Sequence, residues 1–487
     1  MSFAFIPLYI RFLGVEAYGL IGIFAMLQAW LVPLDMGMRP ALGREMARFR
    51  AGAHDSQSIR NLLRSVETIG AGIAGAVGIG IWAASTWLAS DWLRAEKLSV
   101  TTVARAFAVM GVVTALRFIE DIYVSCLAGL ELQIEQNVVL GLTATVRGLG
   151  AVAVLAWISP TVEAFFIWQA LVSLMTVTLF ATLVYRALPR APKRARLSLE
   201  ALHGVWHFAA GMMAITCLAL LLTQVDKVLL SRLLTLKEYG YYALAGVVAN
   251  SLYTLSLPVT TAYYPRFTSL ATLGNQTALC AVYHQGAQLV SVIMGSAGII
   301  LIVFHEQVML LWTADPVLVQ HVARLMAVLA FGTLLNGLMF IPYQLMLAHG
   351  WTTLTIKVNA VAVAILVPAI LWVVPRYGAT GAAWIWVTLN SGYVFFSISL
   401  MHRRLLPGER WRWYRNDVAW PLTAAAATAL LFRQLIPGHL ARLDELIWIA
   451  VSSLGVLSAA AMAAAGVRNQ LARQFSRALS ASLPRAA

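Results

Sequence analysis

Residues 11–19 read RFLGVEAYG and residues 232–240 read RLLTLKEYG, one frame of Arg, Leu, Tyr and Gly repeated 221 positions later. The matches are Arg11 with Arg232, Leu13 with Leu234, Tyr18 with Tyr239 and Gly19 with Gly240. Each copy sits between one apolar run and the next, and six runs separate the two copies. An even number of membrane crossings returns a chain to the same side. The pattern therefore predicts two parallel repeats related by an axis along the membrane normal.

The runs themselves have the length a bilayer demands. Stretches that could span occur at about 17–38, 66–89, 103–126, 137–158, 162–185, 207–231, 238–263, 285–304, 317–347, 355–374, 378–401, 418–436 and 445–466. The opening run, Met1 to Leu13, reaches only about 20 Å against a hydrocarbon core of about 30 Å. It lacks the basic start and small-residue cleavage site of a signal peptide, so it reads as the outer half of a first helix at a shortened chain start. Counting it, the expectation is an all-α polytopic membrane protein of about fourteen helices. Its divisions are a six-helix lobe over 1–197, a second over 198–402, and two added helices with a basic tail over 403–487. Composition agrees: 60% of the 487 residues are hydrophobic and 11% are charged, where soluble chains average about 25% charged.

The net charge of +14 does not mark a nucleic-acid binder, because the basic residues cluster between spans rather than along one face. Segments assigned to the inside hold about 22 of the 35 Lys and Arg residues, including the groups at 39–64, 186–196 and 403–415. Those assigned to the outside hold about eight, and about five lie within spans. That asymmetry places both termini on the cytoplasmic side of the membrane. The three cysteines, Cys126, Cys217 and Cys280, are scattered without metal-ligand spacing, so they read as buried apolar thiols, with no metal or other cofactor expected.

No phosphate-binding loop, H-E-x-x-H or G-x-S-x-G motif occurs, and no segment is long enough for an ATPase domain. The expected outside loops of about 5–15 residues are too short for the catalytic loops of a membrane polymerase or glycosyltransferase. The reading is a transporter driven by an ion gradient or by its substrate's own gradient, not an enzyme.

Four stretches carry a family resemblance: PLYIRFLGVEAYGL (7–20), LDMGMRPALGREMAR (34–48), QVDKVLLSRLLTLKEYGYYALA (224–245) and LPVTTAYYPRFTSL (257–270). With them the chain resembles, over nearly its whole length, the polysaccharide-export and O-antigen repeat-unit flippases of the multidrug/oligosaccharidyl-lipid/polysaccharide exporter superfamily. The resemblance implies two six-helix bundles around a central cavity. It also implies a cargo of undecaprenyl-diphosphate-linked oligosaccharide, turned between leaflets by alternating access for O-antigen or exopolysaccharide synthesis. Membrane lipids, a polymerase and other assembly proteins are the implied partners. A multidrug efflux antiporter of the same superfamily is the alternative.

An anionic, hydrated head group crosses hydrocarbon only if a polar groove offers cations, and arginine binds phosphate oxygens bidentately. The candidate cavity cations are Arg39, Arg117, Arg147, Lys227 and Arg324; the candidate coupling groups are Asp35, Glu120, Asp121 and Asp226. Arg147 sits mid-span, where a charge must face protein or a wet cavity; interhelical pairing is its other reading. Arg117, Glu120 and Asp121 share one helix face, as an internal ion pair or a polar wall. Asp226 and Lys227 are neighbours about 100° apart on their helix, and the resemblance favours Asp226 as the recurrent residue. Asp35 and Arg39 are i and i+4 at the inner end of a span, and Arg324 is close enough to an end to snorkel. Asn250, Asn336 and Gln344 are candidates to line the second lobe or to bond between helices. Gly70, Ala74 and Gly78, with Gly72, Ala76 and Gly80 beside them, form a stripe for close helix packing. Trp87, Trp92, Trp411 and Trp413 read as interface anchors, and Pro33, Pro258, Pro342 and Pro368 as kinks.

Overall fold

A computed structural model describes residues 5–35, 37–50, 52, 54–190, 192–198, 220–221, 224–351, 353–436, 441–470 and 472–473. Cys217, Arg477, Arg485 and most of the 207–231 run lie outside the described residues. The described chain is helical, with a single isolated bridge between Arg94 and Thr235. Ten of its helices are long and apolar enough to cross a membrane. Two of these are broken by a glycine in a conformation that side-chain-bearing residues resist. Gly14 (φ 81°, ψ 167°) divides α1 (Ile6–Leu31), and Gly378 (φ 58°, ψ −148°) divides Thr353–Gly392. Each therefore supplies two helical segments, and the count falls within ten to fourteen.

The break at Gly14 is a real change of direction. The Tyr9 ring packs edge-on against Phe165, Phe165 against Phe166, and Phe166 against Phe24, with centroids 5.1–5.2 Å apart. The segments before and after the break thus both pack on the Phe165–Phe166 pair.

The chain resolves into two compact units, Met1–Gly240 and Tyr241–Ala487. In the first, α1 ends in a 3-10 turn, Val32–Asp35, before α2 (Met38–Arg50). The sequence reading left this basic stretch between spans without an element; it is an amphipathic helix. Its Met38, Ala41, Leu42 and Met46 enter a core with Leu62, Leu63, Cys126 and Leu127, while Arg44, Arg48 and Arg50 stay exposed. α3 (Ser56–Trp87), α4 (Val100–Gly129) and α6 (Val162–Ala187) start on Asp55, Ser99 and Thr161, each accepting a backbone N–H of the first turn. α5 (Gln133–Trp157) lies between α4 and α6 in sequence and packs chiefly on α6. One row of the small-residue stripe does what its spacing implies: Gly70 and Gly78 abut Ile122 and the Gly111 backbone of α4, with Ala74 buried between them. The row of Gly72, Ala76 and Gly80 is instead exposed, with open space beside both glycines among the described residues. A helical stretch over 224–233 then leads to α7 (Leu236–Thr272), opened by a capping box in which Thr235 and Glu238 exchange bonds of 3.1 and 3.2 Å.

The repeated motif has a structural counterpart in this unit. A Cβ on Gly19 would collide with the Leu236 carbonyl oxygen, and one on Gly240 would lie 2.5 Å from that of Val15. Positions 15 and 236, like 19 and 240, are one repeat spacing apart, so the two copies touch reciprocally. The 94–98 loop is fastened across them. Glu16 accepts the amide N–H of Glu96 at 2.7 Å and that of Lys97 at 2.9 Å, and the Arg94 carbonyl accepts that of Leu236 at 2.9 Å.

In the second unit α7 continues and carries Pro258 and Pro265. It is followed by α8 (Gln276–Val303), α9 (His305–Thr313), α10 (Pro316–Leu338), α11 (Phe340–Ala348) and α12 (Thr353–Gly392). α13 (Ile398–Leu405), the single turn α14 (Arg410–Arg412), a π-helical turn Trp413–Ala419, α15 (Trp420–Gln434) and α16 (Arg442–Ala463) complete it. α8 is the hub, buried around most of its circumference. Its Val292, Ile299 and Val303 meet Ala425 and Ala429 of α15 and Val456 and Ala460 of α16. Alanines at that seam let the last two helices approach closely, the packing rule of apolar solvents. Large side chains point outward instead, such as Ile79, Trp82, Trp157, Leu171, Trp372 and Leu454, as a lipid-facing surface requires.

Candidate functional site

The intramembrane charges of α4 and α5 meet those of the α2 entry in one layer. α4 presents Thr114, Arg117, Glu120 and Asp121 at spacings of three and four residues, and α6 presents Gln169, Ser173 and Thr176 in the same way. Arg147 enters from α5, Phe24 and Gln28 from α1, Asp35 from the 3-10 turn after α1, and Arg39 from the start of α2. Arg39 Nε donates to Asp35 Oδ2 at 2.5 Å, and its Nη1 pairs with Asp121. Arg147 Nη2 lies 3.4 Å from both Glu120 Oε2 and Ser173 Oγ. Arg117 Nη2 donates to Gln169 Oε1 at 3.2 Å, and its guanidinium lies 5.0 Å from the Phe24 ring centre. Gln28 Nε2 donates to Thr114 Oγ1 at 2.8 Å.

The expected ion pair of Arg117 with Glu120 or Asp121 along α4 is replaced by pairs between helices. Each carboxylate turns to an arginine of another helix, so the charges tie helices together. Glu120 and Asp35 are buried, and Asp121 is half exposed. Three N–H donors in the layer, Arg117 Nε, Arg147 Nε and Gln169 Nε2, are buried without an acceptor among the described residues. The three carboxylates of the layer, by contrast, are each engaged by an arginine. On the other face of α6 and the flank of α4, Val109, Val112, Leu116, Ile167 and Leu171 line an apolar groove with Trp82.

The remaining candidates lie elsewhere. Asp226 and Lys227 are half-buried in the 224–233 stretch, where Lys227 Nζ donates to Gln224 at 3.0 Å. Arg324 is exposed on α10. Asn250 is exposed, whereas Asn336 bonds between helices: it accepts from Tyr253 at 3.0 Å and donates to the buried Asn390 at 2.7 Å. Trp413 is a correction. Read as an interface anchor, it is fully buried, while Trp411 two residues earlier is exposed.

The profile of the family described as polysaccharide biosynthesis protein matches residues 8–316. The chain belongs to that family. No curated protein matches it in sequence. Among solved structures, the family member is similar to one titled lipid II flippase MurJ, inward closed conformation. That similarity has a TM-score of 0.66 and 12% identity, over 94% of this chain and 96% of that one. It is also similar to an inward-facing multidrug resistance MATE transporter of the MOP superfamily, with a TM-score of 0.64 and 14% identity over 82% and 94%. The MATE multidrug transporter DinF-BH follows at a TM-score of 0.56 and 14% identity, over 82% and 90%. The family protein thus has the multi-pass fold of this transporter superfamily. The company it keeps is of flippases and transporters, not enzymes.

Sequence reading missed the uncharged half of the site and a second cluster altogether. Gln169 and Ser173 are polar residues inside an apolar span, FFIWQALVS, which is the signal that could have flagged them. In the second unit, buried His284 of α8 bonds Asp417 through Nδ1 and lies 3.0 Å from Glu409 through Nε2. Gln288 donates to Asp417 at 2.8 Å and accepts from the Gly466 amide at 2.7 Å. Asp417 borders an apolar span in WYRNDVAW, a visible signal, but its partner lies 133 positions away.

Proposed function

We propose that this protein is a flippase that carries undecaprenyl-diphosphate-linked oligosaccharide repeat units across the cytoplasmic membrane by alternating access, for O-antigen or exopolysaccharide assembly. The observation that carries the reading is the donor surplus of the buried layer at Arg117, Arg147 and Gln169. An ionised diphosphate offers several acceptor oxygens and no donor, so it complements such a layer where a cationic drug would not. Membership of the polysaccharide biosynthesis family supports the same reading.

The chemistry follows from the pairs. A diphosphate oxygen arriving at Arg147 competes with Glu120 for one guanidinium. Once displaced, Glu120 takes up a proton, which returns to solvent when the head group leaves and the pair re-forms. Arg39 with Asp35 and Asp121 forms a second such exchange point. Asp226 and Lys227 act at the start of the second repeat, and Arg324 meets the head group as it leaves. The polyprenyl tail stays in apolar surroundings, and the groove on α4 and α6 offers them. The working lobes are 1–197 and 198–402, with 403–487 as an added pair, and both termini are cytoplasmic. A polymerase and other assembly proteins take up the delivered unit.

The test is a flipping assay in proteoliposomes with a fluorescent undecaprenyl-diphosphate glycan. Wild-type protein moves it and the Arg117→Ala/Arg147→Ala protein does not, at equal amounts of folded protein. Equal flipping by both would refute the role of the layer, and drug export in place of glycan flipping would establish the antiporter alternative.

A further inference from the structure

Cys280 and His284 are i and i+4 on α8, so both project from one face of that helix. Glu409 meets them from the segment between α13 and α14. The thiol sulfur, an imidazole nitrogen and a carboxylate oxygen lie within 4.8 Å of one another. His284 Nε2 is 3.0 Å from Glu409 Oε2, and the Cys280 sulfur lies within 4.8 Å of both groups. Behind them, Asp417 holds His284 Nδ1 and is itself held by Gln288. His284 and Asp417 are 3% and 0% exposed.

We infer that Cys280, His284 and Glu409 form a binding site for a divalent transition-metal ion, with Zn2+ as the ion its donors suit best and water in the fourth position.

The donor set selects the ion. A thiolate is a poor ligand for Mg2+ or Ca2+, whereas one sulfur, one imidazole nitrogen and one carboxylate oxygen suit tetrahedral zinc. Bonds of about 2.0–2.3 Å in a tetrahedron set donor atoms about 3.3–3.7 Å apart. The three donor atoms, within 4.8 Å of one another, stand about 1 Å wider than that arrangement at most. Asp417 on Nδ1 leaves Nε2 as the coordinating atom and aims it at Glu409 and Cys280, the carboxylate–histidine–metal relay of established zinc sites. Arg412 Nη1 also lies 3.4 Å from Glu409 Oε2; its side chain is half exposed and turns to solvent when the ion arrives. Occupied, the site clasps the first turns of α8 to the chain that leads into α15 and α16, which pack along the same helix. This inference is independent of which substrate the protein carries.

The test uses the full-length protein in lipid nanodiscs. After zinc loading and exhaustive dialysis, elemental analysis should find one zinc per chain. Cobalt in its place should give a thiolate-to-metal charge-transfer band that Cys280→Ser removes. Asp417→Asn should weaken zinc binding about 10- to 100-fold while keeping the cobalt band at saturation, because it alters the support and not a ligand. Wild-type protein that keeps no more zinc than the Cys280→Ser/Glu409→Gln variant would overturn the site. So would cobalt bound without a thiolate band, which would mark the cluster as an ion-paired network only. The wild-type cobalt spectrum decides even where a variant fails to fold.

Discussion

In the layer of α4, α5 and α6 within residues 1–240, charge is held mainly as arginine against carboxylate. Arg39 lies between Asp35 and Asp121, Arg147 against Glu120, and Arg117 against Gln169 and a phenyl ring. Within residues 241–487, the corresponding cost is met by a histidine between Asp417 and Glu409, with a thiol beside it. The difference is chemical. A guanidinium stays charged throughout the physiological range, so its partners can change but its sign cannot. A histidine exchanges its proton or gives a lone pair to a metal. In the functions proposed for them, the first cluster grips and releases an anion and the second holds a fixed junction.

The comparison breaks first at the arginines. Arg117→Ala/Arg147→Ala should cut flipping of a diphosphate-linked glycan about 100-fold or more. Charged hydrogen bonds contribute about 1.5–3 kcal/mol each, and the readout is initial rate in proteoliposomes. If either cluster were merely structural, its loss would show in stability and not in rate.

Glu120→Gln should destabilise the first unit by about 2 kcal/mol, since it leaves the half-buried Arg147 without its carboxylate. The double variant Glu120→Gln/Arg147→Gln should recover part of that loss, read as thermal unfolding in detergent. Equal losses in single and double variants would deny the pairing. Gly240→Ala should cost about 1–3 kcal/mol by driving a methyl group against the Val15 carbonyl. The same measurement applies, and an unchanged midpoint would dissolve the reciprocal contact of the repeats. Thr235→Ala removes half of the capping box that opens α7 and should cost about 1 kcal/mol.

The smallest effect lies at Glu45 of α2. Burial alone would raise its carboxyl, but hydrogen bonds and charge from His54 and Arg48 outweigh that and hold it below the usual range. A depressed carboxyl contributes stability at neutral pH that is lost as pH falls through its lowered value. Amide protection factors in Met38–Arg50, taken relative to the intrinsic exchange rate at each pH, should therefore fall on acidification, and Glu45→Gln should flatten that response. An identical pH profile in both proteins would remove Glu45 from the account.

The fold class was legible at the level of runs because solvation cost acts locally. About twenty apolar residues in a row must be helical in a bilayer whatever they touch. The glycine breaks were legible as gaps between runs: Gly14 lies between Arg11 and Glu16, and Gly378 follows Pro375 and Arg376. Helical hydrogen bonding nevertheless carries one helix across each, and only the backbone angles name the hinge residue. The charged half of the first cluster was visible residue by residue, since each ion inside a span is conspicuous on energetic grounds. The pairing was not: along α4 the sequence suggests Arg117 with Glu120, while the packed helices set Arg147 against that carboxylate. Trp411 and Trp413 make the same point, two residues apart, one exposed and one buried.

What the sequence by itself determined is therefore the membrane class, the repeat and the set of costly charges, because each depends on local composition and spacing. Only the tertiary structure decided which charges meet, that Gly19 and Gly240 abut across the two copies, and that Cys280, His284 and Glu409 converge. Those facts depend on distances between residues up to 221 positions apart in the chain, and helix packing alone sets such distances.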